Sequence, residues 1–269
     1  MDAHITPVGT ALVTGASTGI GAAYADRLAR RSHSLVLVAR DGARLAALAE
    51  RLGVQHGVRA EVLQADLTTP AELARVEERL RGDPDIAMLV NNAGMSVAGG
   101  FLSTDIDRVE AMVRLNVLAP TRLAQAAAAG FAARGRGTII NIASVLALAP
   151  EMFGGAYSAT KAYMLNLSRS LQTELAPRGV RVQAVLPGAT RTEIWERSGM
   201  SVDALPAHAV MEVGTLVDAA LAGLDGGEDV TIPALEDAAL WQAFEDARHA
   251  LAPHLSLREA ATRYHTAAA

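Results

Sequence analysis

Apolar residues along this chain follow two alternating patterns. Short, nearly continuous apolar runs occur at 10–14 (TALVT), 34–39 (SLVLVA), 59–65 (RAEVLQA), 86–91 (IAMLVN), 138–143, 181–186 and 230–233. Runs of this length bounded by turn residues predict strands. Between them the apolar positions return at helical spacing, from Ile20 to Arg31 and from Asp41 to Val54, where Leu45, Leu48, Ala49 and Leu52 share one stripe. Pro70 opens another helix, and 104–130, 155–176 and 207–224 are long helical stretches. Strands that are apolar on both faces must be covered on both sides, so seven of them alternating with helices predict a parallel sheet between two helical layers. Beyond Pro233, the segments 236–250 and about 256–265 are periodic and charged, which predicts helix outside the alternation. The expectation is one α/β domain over 1–269, with 234–269 as a helical extension of it.

Composition narrows the chemistry. With 51% hydrophobic residues and only 4% aromatic ones, the interior must be built from Ala, Val, Leu and Ile. A chain of 269 residues fits one α/β core, and no apolar run reaches the eighteen or so residues of a membrane span. Cysteine is absent, which excludes disulfides, thiol catalysis and thiolate metal sites. A net charge of −5 argues against a nucleic-acid partner, and the seven histidines (4, 33, 56, 208, 249, 254, 265) have no metal-ligand spacing, so no metal is expected. The opening MDAHITPVG has no basic region followed by an apolar stretch, so a cytoplasmic location is expected.

The turn between the first strand and first helix reads TGASTGIG, with glycine at 15, 19 and 21. A dinucleotide pyrophosphate would meet bare amides and a helix N-terminus there. Gly15 allows the tight turn, Gly19 lets phosphate approach and Gly21 lets helix and strand pack. Ser17, Thr18 and Ile20 belong to the same cofactor-binding turn, and the fold class is doubly wound, Rossmann-type and three-layered, on a seven-stranded parallel sheet. The same residues also match G-x-S-x-G, the nucleophile elbow of a serine hydrolase, with Ser17 as nucleophile and His208, His249 or His254 as bases by chain order. Against the elbow, it follows the first strand, and no HGGG-like oxyanion segment is present.

Lys161 is the only lysine; the other 23 of the 24 basic Lys and Arg side chains are arginine. It lies one helical turn after Tyr157, on the same face. An ammonium is a compact charge with three rotatable donors, suited to a crowded site where a planar guanidinium is not. A phenol with a reference pKa near 10 must be brought down by about 3–4 kcal/mol to exchange protons near neutrality. A cation about 4 Å away supplies on the order of 4 kcal/mol at an effective dielectric of 20.

The glycine turn, NNAG (91–94), Asn116 in a helix, Ser144 after the fifth strand, YSATK (157–161) and the pair Pro187-Gly188 occur in an order that resembles the short-chain dehydrogenase/reductase family, from about Thr10 to Pro233. The resemblance implies a nicotinamide-dependent oxidoreductase interconverting an alcohol and its ketone or aldehyde, with Asn116, Ser144, Tyr157 and Lys161 as catalytic residues. In that picture Tyr157 is the general acid/base, Lys161 also holds the nicotinamide ribose, Ser144 binds the substrate oxygen and Asn116 holds a water. Asp66 and Leu67 would contact the adenine, and Asn92, Ala93 and Gly94 would line the ribose side. Pro187, Gly188, Thr190 and Thr192 would lie by the nicotinamide and phosphates. Where NAD-preferring relatives carry an acid, this chain has Ala39 followed by Arg40, which favours NADP(H), with NAD(H) as the alternative; Arg44 is either a second candidate for the 2′-phosphate or a solvated helix residue.

The substrate side is expected at 95–100, 145–154 and from Gly188 to about Met211. There Val145, Leu146, Met152, Phe153, Ile194, Trp195, Met200 and Leu205 suggest a lipophilic carbonyl or alcohol, or alternatively fill core. A non-catalytic dinucleotide-binding sensor is the rival in a different class. Pairing of the helices at 104–130 and 155–176 between copies would give a homodimer or homotetramer.

Overall fold

The computed structural model describes residues 8–97, 99–100, 102–152 and 155–264. By their contacts these fall into two units, divided after Pro233. In the first, seven parallel strands form one sheet in the order β3-β2-β1-β4-β5-β6-β7: β1 Thr10–Thr14, β2 Ser34–Ala39, β3 Ala60–Gln64, β4 Ile86–Asn91, β5 Gly137–Ile142, β6 Val180–Val185 and β7 Val230–Thr231. The order reverses between β1 and β4, so the chain leaves the carboxyl ends of these two paired strands toward opposite faces of the sheet, which opens a crevice where ligands of such sheets bind.

Period-two alternation explains the layers. In β1, Ala11 and Val13 face one core with Leu35 and Leu37 of β2, whereas Leu12, Val36 and Val38 face the other. The first core is closed by α1 (Gly19–Arg30), α2 (Gly42–His56) and α8 (Val213–Asp225), through Tyr24, Leu28, Leu45, Leu52, Leu216 and Leu221. The second is closed by α3 (Pro70–Gly82), α5 (Ala119–Arg134) and α6 (Ala156–Leu175), through Leu73, Val76, Leu123, Phe131 and Leu175. Residues such as Leu12 and Val13 are fully buried. Each such side chain contributes about 1.5–3 kcal/mol of transfer free energy.

Two expected helices divide. The stretch 104–130 is α4 (Ile106–Val113), a π-helical turn (Arg114–Leu118) and then α5. Pro120 has no N–H to offer the carbonyl four residues back, at Asn116, and the Ala119 N–H bonds instead to Arg114, five residues back. The stretch 207–224 becomes a 3-10 turn, Ala207–Ala209, followed by α8, because Met211 leaves helical geometry to bridge Thr190. A short helix α7 (Ile194–Ser198) precedes it.

The second unit contains α9 (Ala238–Leu251), capped by the Asp237 carboxylate on the Ala239 N–H at 2.9 Å. The second tail helix expected at 256–265 is absent among the described residues, where a single 3-10 turn, Thr262–Tyr264, is present. The eleven described residues following Pro253 are all exposed, and so short a segment with no surface to pack on does not hold a helix in water.

Candidate active site

At the head of α1, Thr18 does not cap the helix with its side chain, so the opening amides of Gly19, Ile20 and Gly21 are not committed to it. Gly15 and Gly19 have φ of +66° and +55°. A Cβ on Gly21 would lie 2.3 Å from the Gly15 carbonyl oxygen, so only glycine lets α1 start this close to β1. The turn is a cradle built from backbone, as an anionic ligand requires. Ser17 sits half-buried in it, and among the described residues of the first unit no histidine hydrogen-bonds to it, so His208 does not make the nucleophile–base contact of a hydrolase.

Thr14, which sequence reasoning passed over, ties this turn to the NNAG segment. Its hydroxyl accepts from the N–H groups of Asn92 and Ala93, both at 3.0 Å, and donates to Val90 O at 3.2 Å. The Asn92 amide donates to the carbonyls of Thr14 (2.9 Å) and Gly15 (3.3 Å). Both carboxyl ends at the switch point are thereby held together. The available signal was a hydroxyl closing an otherwise apolar strand.

Asn116 lies in the π turn, 2% exposed. Its side chain clamps Met95, accepting from that N–H at 2.9 Å and donating to that carbonyl at 2.8 Å. It also donates to the Thr160 hydroxyl at 3.1 Å, and Thr160 donates to the carbonyl of Tyr157 at 2.7 Å. The π turn, the NNAG segment and α6 are thus one hydrogen-bonded assembly. A Cβ on Gly94 would lie 3.2 Å from Asn116 Oδ1 and 3.7 Å from Lys161 Nζ, so these groups converge on one glycine.

Lys161 is buried at 6% exposure, and its Nζ donates to the carbonyl of Ile142 at 2.9 Å. The ammonium stands 5.6 Å from the centre of the Tyr157 ring. Two residues beyond Ile142, Ser144 caps a 3-10 turn by accepting from Leu146 N–H at 3.2 Å and lies 3.4 Å from the Pro187 carbonyl, to which it donates. Lys161 and Ser144 therefore meet at the end of β5, with Pro187-Gly188 beside them.

The electrostatics differ from the sequence expectation in one respect. Burial pushes the Tyr157 phenol up to about 12, and burial pulls the Lys161 ammonium down to about 8. An acidified phenol was expected; among protein groups alone, desolvation of both partners outweighs their mutual attraction.

The remaining candidates divide. Arg40 is 71% exposed at the end of β2, with its guanidinium 3.9 Å from the Asp66 carboxylate. Asp66 is half-committed: one oxygen accepts from the Thr68 N–H (2.9 Å) and hydroxyl (2.7 Å). The Leu67 side chain packs in the second core, leaving only its backbone for a ligand, and Ile20 packs against the first. Thr190 donates to Gly188 O at 3.0 Å and its carbonyl receives the Trp195 indole N–H at 2.8 Å. A Cβ on Gly19 would lie 3.2 Å from the Thr192 methyl, which places Thr192 over the glycine turn. Val145, Leu146, Ile194, Trp195, Met200 and Leu205 are all half-buried, whereas Met152 is exposed. Phe153 lies outside the described residues.

A glycine cradle at the switch point of a parallel sheet, with a phenol and an ammonium at the end of β5, defines a Rossmann-type α/β protein. Comparison narrows this. The short chain dehydrogenase family matches residues 9–202, and the chain belongs to that family. It is 55% identical to a solved short-chain dehydrogenase from Sphingobium yanoikuyae in complex with NADPH, with a TM-score of 0.93 over 96% of this chain and 100% of that one. It is 49% identical to a bulky-bulky ketone specific alcohol dehydrogenase from Comamonas testosteroni, with a TM-score of 0.89 over 96% and 99% of the two chains. Among curated proteins it is 33% identical over 198 residues to a very-long-chain 3-oxoacyl-CoA reductase of Anas platyrhynchos, covering 72% of this chain and 63% of that protein. The chain thus spans less than two thirds of the length of that relative. No helix among the described residues is long and apolar enough to cross a membrane.

Proposed function

We propose that this protein is an NADP(H)-dependent oxidoreductase that interconverts a ketone bearing bulky apolar substituents and the corresponding secondary alcohol. The observation that carries the reading is the convergence of Asn116, Gly94 and Lys161 beside Tyr157 and the end of β5. The glycine turn fits a dinucleotide, since its backbone leaves no room for a Cβ at Gly21 and presents uncapped helix amides to a pyrophosphate. When bound, the nicotinamide supplies or accepts the hydride.

The chain's own groups then handle the oxygen. Ser144 exchanges its long bond to the Pro187 carbonyl for the substrate oxygen, where negative charge develops in reduction. Tyr157 delivers the proton to that oxygen, and takes it back in the reverse direction. Lys161 stabilises the resulting phenolate, which forms at far lower cost beside a charged ammonium than in the buried protein alone. Lys161 would also hold the nicotinamide ribose of a bound dinucleotide. Asn116 acts as a positioning residue, fixing Met95 and α6 together. Gly94, Asn92 and Ala93 would line the ribose side of a bound dinucleotide, and Arg40 would grip its 2′-phosphate.

Support for a bulky ketone comes from the half-buried apolar set contributed by Val145, Leu146, Ile194, Trp195, Met200 and Leu205, and from the similarity to the bulky-bulky ketone enzyme. Steady-state oxidation of NADPH with a series of ketones tests it: turnover is expected to rise when both flanking groups are large and apolar. Nucleotide binding without turnover on any carbonyl would instead support a sensor. A face of α4, α5 and α6 exposes Val113, Leu118 and Tyr163 around a groove of about 380 Å³, which supports assembly of copies through these helices. Sedimentation of the Leu118→Glu variant, expected to shift to a smaller species, checks this.

A further inference from the structure

The segment that follows β6 forms a lobe with its own neck. Thr190 and Met211 pair as an isolated bridge, supported by Arg191 N–H to Met211 O at 3.0 Å and Met211 N–H to Ala189 O at 2.9 Å. Arg191 closes the neck from outside through Asp203 (2.8 Å) and Glu212 (3.1 Å). From this neck the chain passes over Gly19 at Thr192, and the next residue, Glu193, reaches α2. There Arg44 Nη1 donates to both carboxylate oxygens of Glu193, at 2.9 and 3.0 Å. Residues 149 apart in sequence are thereby joined, next to the β1–α1 turn that Thr192 covers.

Arg44 occupies the third position of the helix whose first turn follows Arg40 directly, on the side where a nucleotide 2′-phosphate would lie. Its other partner is Asp41, whose carboxylate is 3.4 Å from Nε. Glu193 has a second cation of its own, Arg197 at 2.6 Å. Losing Arg44 would therefore leave the carboxylate paired. Both side chains of the Arg44–Glu193 pair are about half exposed, so the bond between them is weak enough to be exchanged for a doubly charged phosphate.

We propose that Arg44 is exchanged between Glu193 and the 2′-phosphate of NADP(H), so that Glu193 sets how strongly the two nucleotides are discriminated and the lobe 191–211 is released by one and retained by the other. The inference rests on the assignment of a dinucleotide to this cleft. Glu193 acts as a built-in competitor: it costs NADP(H) part of its contact with Arg44 and leaves NAD(H), which has no phosphate there, unaffected. A carboxylate at 193 thus narrows a preference that Arg40 and Arg44 together would otherwise widen.

Direct titration of NADPH and NADH into the wild type, Glu193→Gln, Arg44→Ala and the double variant tests this without turnover. Glu193→Gln is expected to tighten NADPH about three- to tenfold with NADH unchanged, and the gain should vanish when Arg44 is alanine. Amide hydrogen exchange over 194–198 should be faster with NADPH than with NADH in the wild type, and equal for the two nucleotides in Arg44→Ala. An equal effect of Glu193→Gln on both nucleotides, no effect on either, or a gain that survives in the Arg44→Ala background overturns the exchange while leaving the dinucleotide assignment standing. Failure of the wild type to bind either nucleotide would overturn both.

Discussion

Two kinds of buried charge coexist in this protein, and they are built oppositely. Asp26 on α1 is 6% exposed and is met by Arg27 (2.9 Å), Arg30 (3.1 Å), Arg51 (3.4 Å) and His56 (3.4 Å). Glu77 on α3, 3% exposed, is held by Arg81 at 3.0 Å and by Arg122 of α5. Burial alone would raise both carboxyls, but hydrogen bonds from Arg27 and His56 to Asp26, and from Arg122 and Arg81 to Glu77, outweigh it and hold both below the usual carboxylate range. Lys161 has one backbone carbonyl and a tyrosine ring, and burial wins. Charges that only join helices are saturated with partners and fixed; Lys161, at the proposed reaction centre, has fewer, and burial lowers it to about 8, so its proton is movable near neutral pH.

The contrast can be broken most severely at the phenol. Tyr157→Phe is expected to lower kcat about 10³-fold, equivalent to about 4 kcal/mol, with NADPH affinity unchanged. Turnover near that of the wild type would remove the proton-transfer role from this residue.

Next in size is the linkage at Lys161. The unfolded chain holds this proton to about 10.5 and the folded protein only to about 8. The unfolded state therefore binds more protons between these values, and stability rises with pH across that window, by at most about 3 kcal/mol. Denaturant unfolding from pH 7.5 to 10 should show this slope, and Lys161→Met should flatten it. Tyr157 has the opposite sign: its raised pKa contributes stability below pH 10 that is lost as pH rises through about 12. Since the chain has one lysine, isotopic labelling of lysine gives a single side-chain resonance, whose titration midpoint should be near 8.

Asp26→Asn sharpens the comparison from the scaffold side. It should cost about 2 kcal/mol of stability near neutral pH, less than a fully buried pair because the arginines are partly solvated, while leaving the kcat of the Tyr157 centre unchanged. For this depressed carboxyl the stabilisation is present above the unfolded pKa and fades as pH falls through the folded value. The smallest expected effect is at Arg40. Arg40→Ala should reduce the ratio of NADPH to NADH affinity about tenfold, or about 1.4 kcal/mol, by direct titration.

Most of the scaffold was legible because alternation and helical spacing report local burial: β1, β2 and β4 begin and end where the apolar runs do. The helix at 104–130 was misread as continuous because its interruption depends on Pro120 lacking a donor and on Asn116 reaching Met95, neither of which a periodicity registers. The tail beyond α9 was misread because periodicity without a surface to pack on does not stabilise a short helix. At the site, Tyr157, Lys161, Ser144 and the glycine turn were visible as residue types at fixed spacings. Thr14 and Thr160 were not, since a hydroxyl that bonds to backbone leaves no mark on composition.

The amino-acid sequence by itself determined the alternation of strands and helices, the glycines that bare the backbone at the head of α1, and the single ammonium one turn beyond a phenol. These follow from local sterics, burial period and side-chain chemistry, each readable within a few residues. Only the tertiary structure decided that Lys161 is anchored on Ile142 and desolvated, that Asn116 clamps the segment after β4, and that Glu193 reaches Arg44. Each of these depends on atoms brought within about 3 Å by packing of segments distant in the chain, and on how much water that packing excludes.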